Sequence, residues 1–182
     1  MTKTRVLLLC GLIATLSVPA RATVLIPADL GELSRDAIAI ARGRVAALDT
    51  QWTEDRGTIE TIVTLEVESY LKGALGSTLR FKVPGGELGR FRSVVVGAPE
   101  FAVDQRVVVF LGARGPSVPY VLGFNQGVYR VSHTGGGWMV TSPVMMPAAG
   151  GSLRLVRGDP ARRAQPLGDF EQAVRTFAGA AK

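Results

Sequence analysis

TIETIVTLEVESYL, residues 58–71, alternates apolar and polar side chains along most of its length. Ile59, Val63, Leu65 and Val67 fall on one side, and Glu60, Thr64, Glu66 and Glu68 on the other. Successive side chains of a strand point to opposite faces, so this period predicts a strand with one face in a core and one in water. Leu71-Lys72-Gly73 closes it, and a shorter strand follows with Leu79, Phe81 and Val83 opposite Thr78, Arg80 and Lys82. Pro84-Gly85-Gly86 stops that second strand. Upstream, Ile38 to Leu48 is an almost continuous small-apolar run with Gly43 inside it. A glycine within a strand marks a bulge or a close backbone approach. Thr50 to Gly57, ending in Asp55-Arg56-Gly57, reads as a polar connection closed by a turn.

Further along, Val94–Val96 and Val107–Leu111 are β-branched runs, and Tyr120–Phe124 reads as another strand. Val128–Val131 and Trp138–Val140 flank Gly135-Gly136-Gly137, which predicts a hairpin. Before the first strand, Asp29 can cap a short helix running to Ala37, with Leu30, Leu33 and Ala37 on one face. After Thr141, prolines and glycines punctuate residues 142–167, a tether with little regular structure. A last helix over 168–182, capped by Asp169, places Phe170, Val174 and Phe177 on one stripe. Short, closely spaced strands with glycine-rich turns predict a mainly β fold. The expected architecture is a small closed or partly open OB-like β-barrel over 23–141, with a short N-terminal and a C-terminal helix.

The first residues follow a different logic. Lys3 and Arg5 give a positive start, Val6–Val18 is apolar, Pro19 breaks the run, and Ala20-Arg21-Ala22 places small residues where a signal peptidase reads. Residues 1–22 are therefore expected to be a secretory signal peptide, and the product to be periplasmic or extracellular. The apolar run is about 13 residues, short of the ~20 that a membrane span requires. No later stretch is longer, so no transmembrane segment is expected after cleavage.

Cleavage would remove the only cysteine, Cys10. An exported chain without disulfides must be held by its core. At this size a domain buries roughly 70% of the surface its unfolded chain exposes, which suffices. Cleavage would also take Lys3, Arg5 and Arg21 from a formal charge of +6, leaving 18 basic against 15 acidic residues. Residues 23–153 hold 12 of each, so the excess sits in the tail. Nucleic-acid binding requires a concentrated basic face, and the body of this chain has none.

Two stretches carry a resemblance. ARGRV (41–45) and VTLEVESYLKG (63–73) are similar to the opening hairpin of netrin-like modules, the barrel also used by tissue inhibitors of metalloproteinases. Leu33 to Val140, with PGGELG (84–89) and GAPEF (97–101), resembles uncharacterised exported bacterial β-barrel proteins. The netrin-like resemblance implies an oligonucleotide/oligosaccharide-binding (OB) type of barrel and a protein-binding role. The inhibitors reach a metal with an N-terminal cysteine, which a chain beginning after residue 22 lacks, so that mechanism is not implied.

The chemistry-bearing residues are few. His133 is the only histidine and sits at the predicted hairpin tip. With one histidine and no cysteine after cleavage, nucleophile–base pairs and zinc ligation lack material. Asp49, Glu54 and Asp55 fall short of the six to eight oxygens that calcium takes. Gly85-Gly86 and Gly135-Gly136-Gly137 lead into no helix start, as a phosphate loop would. No catalytic, cofactor or metal residues are assigned, and no cofactor is expected. The candidate ligand or partner surface is Trp52, an aromatic in a polar loop suited to an interface, with Pro84, Gly85, Gly86, Phe124, Asn125 and Gln126.

The favoured reading is an exported, non-enzymatic binding module for an envelope or extracellular protein or another extended ligand. The competing classes are a carboxylate-based hydrolase acting on carbohydrate, through Glu60, Glu66, Glu68 or Asp104, and a structural envelope protein without a discrete ligand. Carboxylates converging in a cleft would favour the enzyme, and an exposed apolar patch around Trp52 the binder. The exported chain is expected to begin at Thr23; an intact mass retaining Met1 would refute this.

Overall fold

The computed structural model describes residues 28–115, 117–143 and 164–179. The expected signal peptide with its cleavage site and most of the expected tether lie outside them. The order of elements is α1 (Leu30–Asp36), β1 (Ala39–Trp52), β2 (Ile59–Lys72), β3 (Thr78–Pro84), β4 (Gly86–Leu88), β5 (Phe91–Ser93) and β6 (Arg106–Gly112). Then come β7 (Tyr120–Val121), a 3-10 turn (Phe124–Gly127), β8 (Val128–Thr134), β9 (Gly137–Thr141), β10 (Gln165–Pro166) and α2 (Leu167–Gly179). The fold is mainly β, with one short helix on the N-terminal side and one at the C-terminus.

Five strands make a ring in the order β1-β2-β3-β7-β6 and back to β1. Every neighbour in the ring is antiparallel except β3 and β7, which run parallel. That parallel seam is a single residue pair, Lys82 with Tyr120, supported by the Lys82 amide donating to the Pro119 carbonyl at 2.8 Å. The barrel is therefore partly open. β8 pairs with Arg106–Val109 of β6, and β9 and β10 extend the sheet away from the ring.

The strand β6 explains why RVVVFLG is apolar without alternation. Val107, Val109 and Leu111 point into the barrel, where they pack with Val45, Val63, Leu65 and Phe81. Val108 and Phe110 point the other way, into a second core under the helices with Leu33, Tyr129, Phe170 and Val174. A strand covered on both faces has no polar side to show. The α1 cap is a capping box: Asp29 accepts the Glu32 amide at 2.6 Å, and the Glu32 carboxylate accepts the Asp29 amide. Helix α2 buries Phe170 and Val174 fully, worth about 3–6 kcal/mol together. Glu171 beside them accepts from Arg42 at 2.5 Å and from Arg175 at 3.3 Å. Glu171 is itself buried, so its charge depends on these two partners, and loss of Arg42 would leave it poorly matched; apolar burial docks the helix and the ion pair orients it.

Strand β1 bends to serve β2 and β6 at once. Its register with β2 shifts between Ile40 and Ala41, Arg42 and Gly43, and Val45 and Ala47. The second shift leaves Glu68 of β2 without an opposite residue. Beside it, a Cβ on Gly43 would stand 2.2 Å from the Glu66 carbonyl oxygen and 2.9 Å from Leu65 Cγ. Gly43 is thus required by close backbone approach, and the curvature is shared among three irregularities rather than assigned to this glycine alone.

Several sequence expectations shift. The strand expected to end at Leu48 runs on to Trp52, so Trp52 stands on a strand end rather than in a loop. Val94–Val96 forms no strand; Val94 and Val96 are 72% and 65% exposed. The expected tether gives up its end to β10, which pairs with Met139 and Val140, and the last helix starts at Leu167, with Asp169 in its first turn. Phe177, expected on the buried stripe, is 38% exposed.

Two measurements follow. Gly43→Val is expected to cost about 1–3 kcal/mol or more by forcing β1 from β2, whereas Gly136→Val meets open space and should leave the melting temperature within about 2 °C of the native value. Equal melting of the two would refute the close approach. Burial, and secondarily the charge of Asp29, pushes the Tyr129 phenol up from 10 to about 12. The native state then holds this proton longer than the unfolded chain, so stability is unaffected below pH 10 and declines from about pH 10 to 12. Tyr129→Phe should remove on the order of 1–3 kcal/mol of that decline; an alkaline unfolding curve of unchanged slope would refute the assignment.

Candidate functional site

Beyond Arg44 and Val45, β1 parts from β6. The last paired residues are Arg44 and Arg106, and the last backbone bonds join Val45 to Asp104 and Gln105. From there to Trp52, β1 is paired as a strand with β2 alone. The chain before β6 runs across the opening, and a cleft of about 460 Å³ remains at this mouth of the barrel. Leu48, Val83 and Phe101 give it an apolar lining, and Phe101 is seated edge-on against the core ring of Phe81 at 5.5 Å.

One wall is the β4–β5 hairpin, which the PGG sequence makes possible. Gly85 and Gly86 have φ of 93° and 141°, values that favour glycine. A Cβ on Gly86 would stand 2.5 Å from Thr61 Oγ1 and 2.8 Å from Thr50 Cγ2. The chain therefore doubles back against β1 and β2 instead of leaving the barrel. The Gly85 amide donates to the Ile59 carbonyl and the Thr61 hydroxyl to the Gly85 carbonyl, both at 2.8 Å. The Thr58 and Ser93 hydroxyls meet at 2.9 Å.

The hairpin carries Phe91 to Trp52. Their rings meet edge-on at 5.4 Å, and the Arg90 guanidinium lies 5.0 Å from the Phe91 centroid. Trp52 is 38% and Phe91 46% exposed. Val94 lines the cleft, and Val96 lies in the chain between its lining residues Val95 and Ala98; both are strongly exposed, so apolar side chains border this mouth. Such a cluster of exposed large side chains is the mark of an interaction surface.

Of the residues singled out in the sequence, Trp52, Pro84, Gly85 and Gly86 come together here. Phe124, Asn125 and Gln126 do not join them at the rim. They form the 3-10 turn, entered through Gly123 and Phe124 at φ 60° and 55°. Gln126 is buried and its Oε1 accepts the Ala28 amide at 2.7 Å. The Asn125 amide donates to the Gly97 carbonyl at 3.0 Å. The turn thus fastens the N-terminal segment and the chain leading into the cleft wall, while Phe124 and Asn125 remain half-buried. Phe91, Val94 and Phe101 were missed. The signal for Phe91 was the spacing Gly86…Gly89 around Glu87-Leu88, a hairpin with Gly89 at φ 60°.

The carboxylates considered for acid–base work are distributed over the outer surface. Glu66 and Asp104 both accept from Arg44, whose guanidinium they hold above its ordinary value, Asp104 first. Glu68 bridges Arg42 at 3.2 Å and Arg106 at 2.9 Å. Glu60 accepts from the Gln51 amide at 3.0 Å and lies 3.9 Å from Lys82. None of the four lines the cleft. Asp55 is held below its ordinary value by the Thr53 hydroxyl and the Gly57 amide, which makes it a turn-forming group. His133 lies opposite Trp138 in the β8–β9 hairpin, 5.0 Å from its ring. Among the described residues no group of three or more histidine, cysteine or acidic side chains is placed to hold a metal ion, and no helix is long and apolar enough to cross a membrane. No family model, curated protein or solved structure matches this chain.

Proposed function

We propose that the chain is an exported, non-enzymatic binding module that recognises an envelope or extracellular protein, or another extended ligand, at the mouth of its barrel. The observation that carries this reading is the exposed Trp52–Phe91 pair, with Val94 and Val96, beside a cleft lined by Leu48, Val83 and Phe101. Trp52 and Phe91 offer large area at low entropic cost, since each has two side-chain torsions. Residues held in ordered elements, as these are, also need little reorganisation on binding. The ring order β1-β2-β3-β7-β6, with β3 and β7 parallel, supports an OB-type barrel. Export rests on the first 22 residues, and on the absence of any cysteine after them.

Affinity capture from a native envelope extract tests the reading. Proteins retained by the immobilised native chain should be lost from the Trp52→Ala/Phe91→Ala variant, since each aromatic anchor contributes about 2 kcal/mol, or roughly thirtyfold. His133→Ala, far from the cleft in sequence and outside its lining, should retain them. Equal retention by the native and doubly substituted chains would defeat the proposal.

A further inference from the structure

The cleft is bordered by a free strand edge as well as by apolar side chains. The register identifies which backbone groups compose that edge. The Ile59 carbonyl accepts from Gly85 and the Val67 amide donates to Ser77, so the odd-numbered residues of β2 turn their backbone groups toward β3. Glu60, Ile62 and Thr64 therefore face β1, where they pair with Gln51, Asp49 and Ala47. The bond from the Thr53 amide to the Thr58 carbonyl continues the same phase. It follows that Leu48, Thr50 and Trp52 turn their amides and carbonyls away from β2. On that side β6 has already left, β4 pairs only with β5, and no described residue bonds to them. Leu48 and Thr50 also line the cleft.

We infer that the ligand of this cleft is an extended peptide that adds as a strand to the outer edge of β1 at Leu48, Thr50 and Trp52. This rests on the binding-module reading above and specifies its partner. A row of three amide–carbonyl sets at two-residue spacing matches only another extended backbone, whose own groups repeat with that period. Alternate side chains of the added strand enter the cleft over Leu48, Val83 and Phe101. The cleft also has a charge preference. Glu87 is matched by Arg92 at 3.2 Å, whereas Glu100, which also lines the cleft, makes no ion pair through its carboxylate among the described residues; the Arg130 guanidinium donates instead to its backbone carbonyl at 3.2 Å. The added strand therefore presents apolar residues at alternate positions and a lysine or arginine to Glu100.

The probe is a phage-displayed library of random dodecapeptides, panned on the full chain, followed by synthesis of recovered peptides with single backbone N-methyl groups. In the free protein, the amides of Leu48, Thr50 and Trp52 should exchange with deuterium much faster than those of Ala47, Asp49 and Gln51, and bound peptide should slow them. N-methylation at every second residue should weaken binding by about tenfold or more, the loss of a hydrogen bond plus a clash, with the intervening positions tolerant. Glu100→Gln should weaken peptides carrying lysine or arginine and leave the melting temperature unchanged. Peptides that bind and are lost on Trp52→Ala, but show no two-residue N-methyl pattern, would overturn strand addition and leave the binding site standing. Slow exchange of Leu48, Thr50 and Trp52 in the free chain would overturn it directly. Recovery of no peptide sensitive to Trp52→Ala or Glu100→Gln would overturn both.

Discussion

Both faces of β6 are buried, and the rest of the molecule is arranged to keep them so. Inside the ring, Val107, Val109 and Leu111 complete the barrel core, and outside it Val108 and Phe110 need a second layer. A barrel alone would leave that outer face in water, at a cost of about 1.5–3 kcal/mol for each large side chain. The two helices and the β8–β9 extension supply the cover. Tyr129, 5.5 Å from Phe110 and 4.7 Å from Phe170, is where sheet and helix meet. The C-terminal helix is therefore part of the domain.

The same constraint opens the mouth. β6 is short and its two edges are shared among β1, β7 and β8, whereas β1 runs for fourteen residues. Antiparallel strands of unequal length leave one of them uncovered at its end, and here the uncovered part of β1 is Leu48 to Trp52. The chain between β3 and β6 folds over this gap as a hairpin and a crossing segment without filling it. The cleft is thus a consequence of strand lengths, and the apolar rim adds Trp52, Phe91, Val94 and Val96 to it.

Electrostatics on the outer surface serves orientation. Arg42 joins Glu68 to Glu171 and Arg106 joins Glu68 to the face of Trp138, at 5.0 Å from its centroid. Glu68 reaches two arginines because the register shift beside Gly43 leaves it unopposed on β2. The charged residues of β1 and β2 look in sequence like a solvated face or an acid–base pair; in the fold they are a ladder from the β8–β9 hairpin to α2. The pairs of Glu68, which are partly exposed, are individually worth little, whereas Glu171 is buried and needs Arg42 and Arg175 to match its charge; apolar burial carries the docking.

The alternation in residues 58–71, the apolar run of 107–111, the glycine at 43, the capped first helix and the apolar stripe at Phe170 and Val174 were legible in the sequence. Each is a local response to a local requirement: period two for a half-buried strand, no polar face where both sides are covered, no Cβ where backbones touch. Of the candidate surface, the sequence located Trp52 and the PGG turn. It placed Phe124, Asn125 and Gln126 on that surface because a turn and its polar side chains look alike whether exposed or buried. Only the tertiary structure made Gln126 a buried fastening, brought Phe91 across to Trp52, and left Val94 and Val96 exposed. Those outcomes depend on where β6 leaves β1, a contact between residues about sixty apart in the chain, and no local pattern encodes which strand edge remains uncovered.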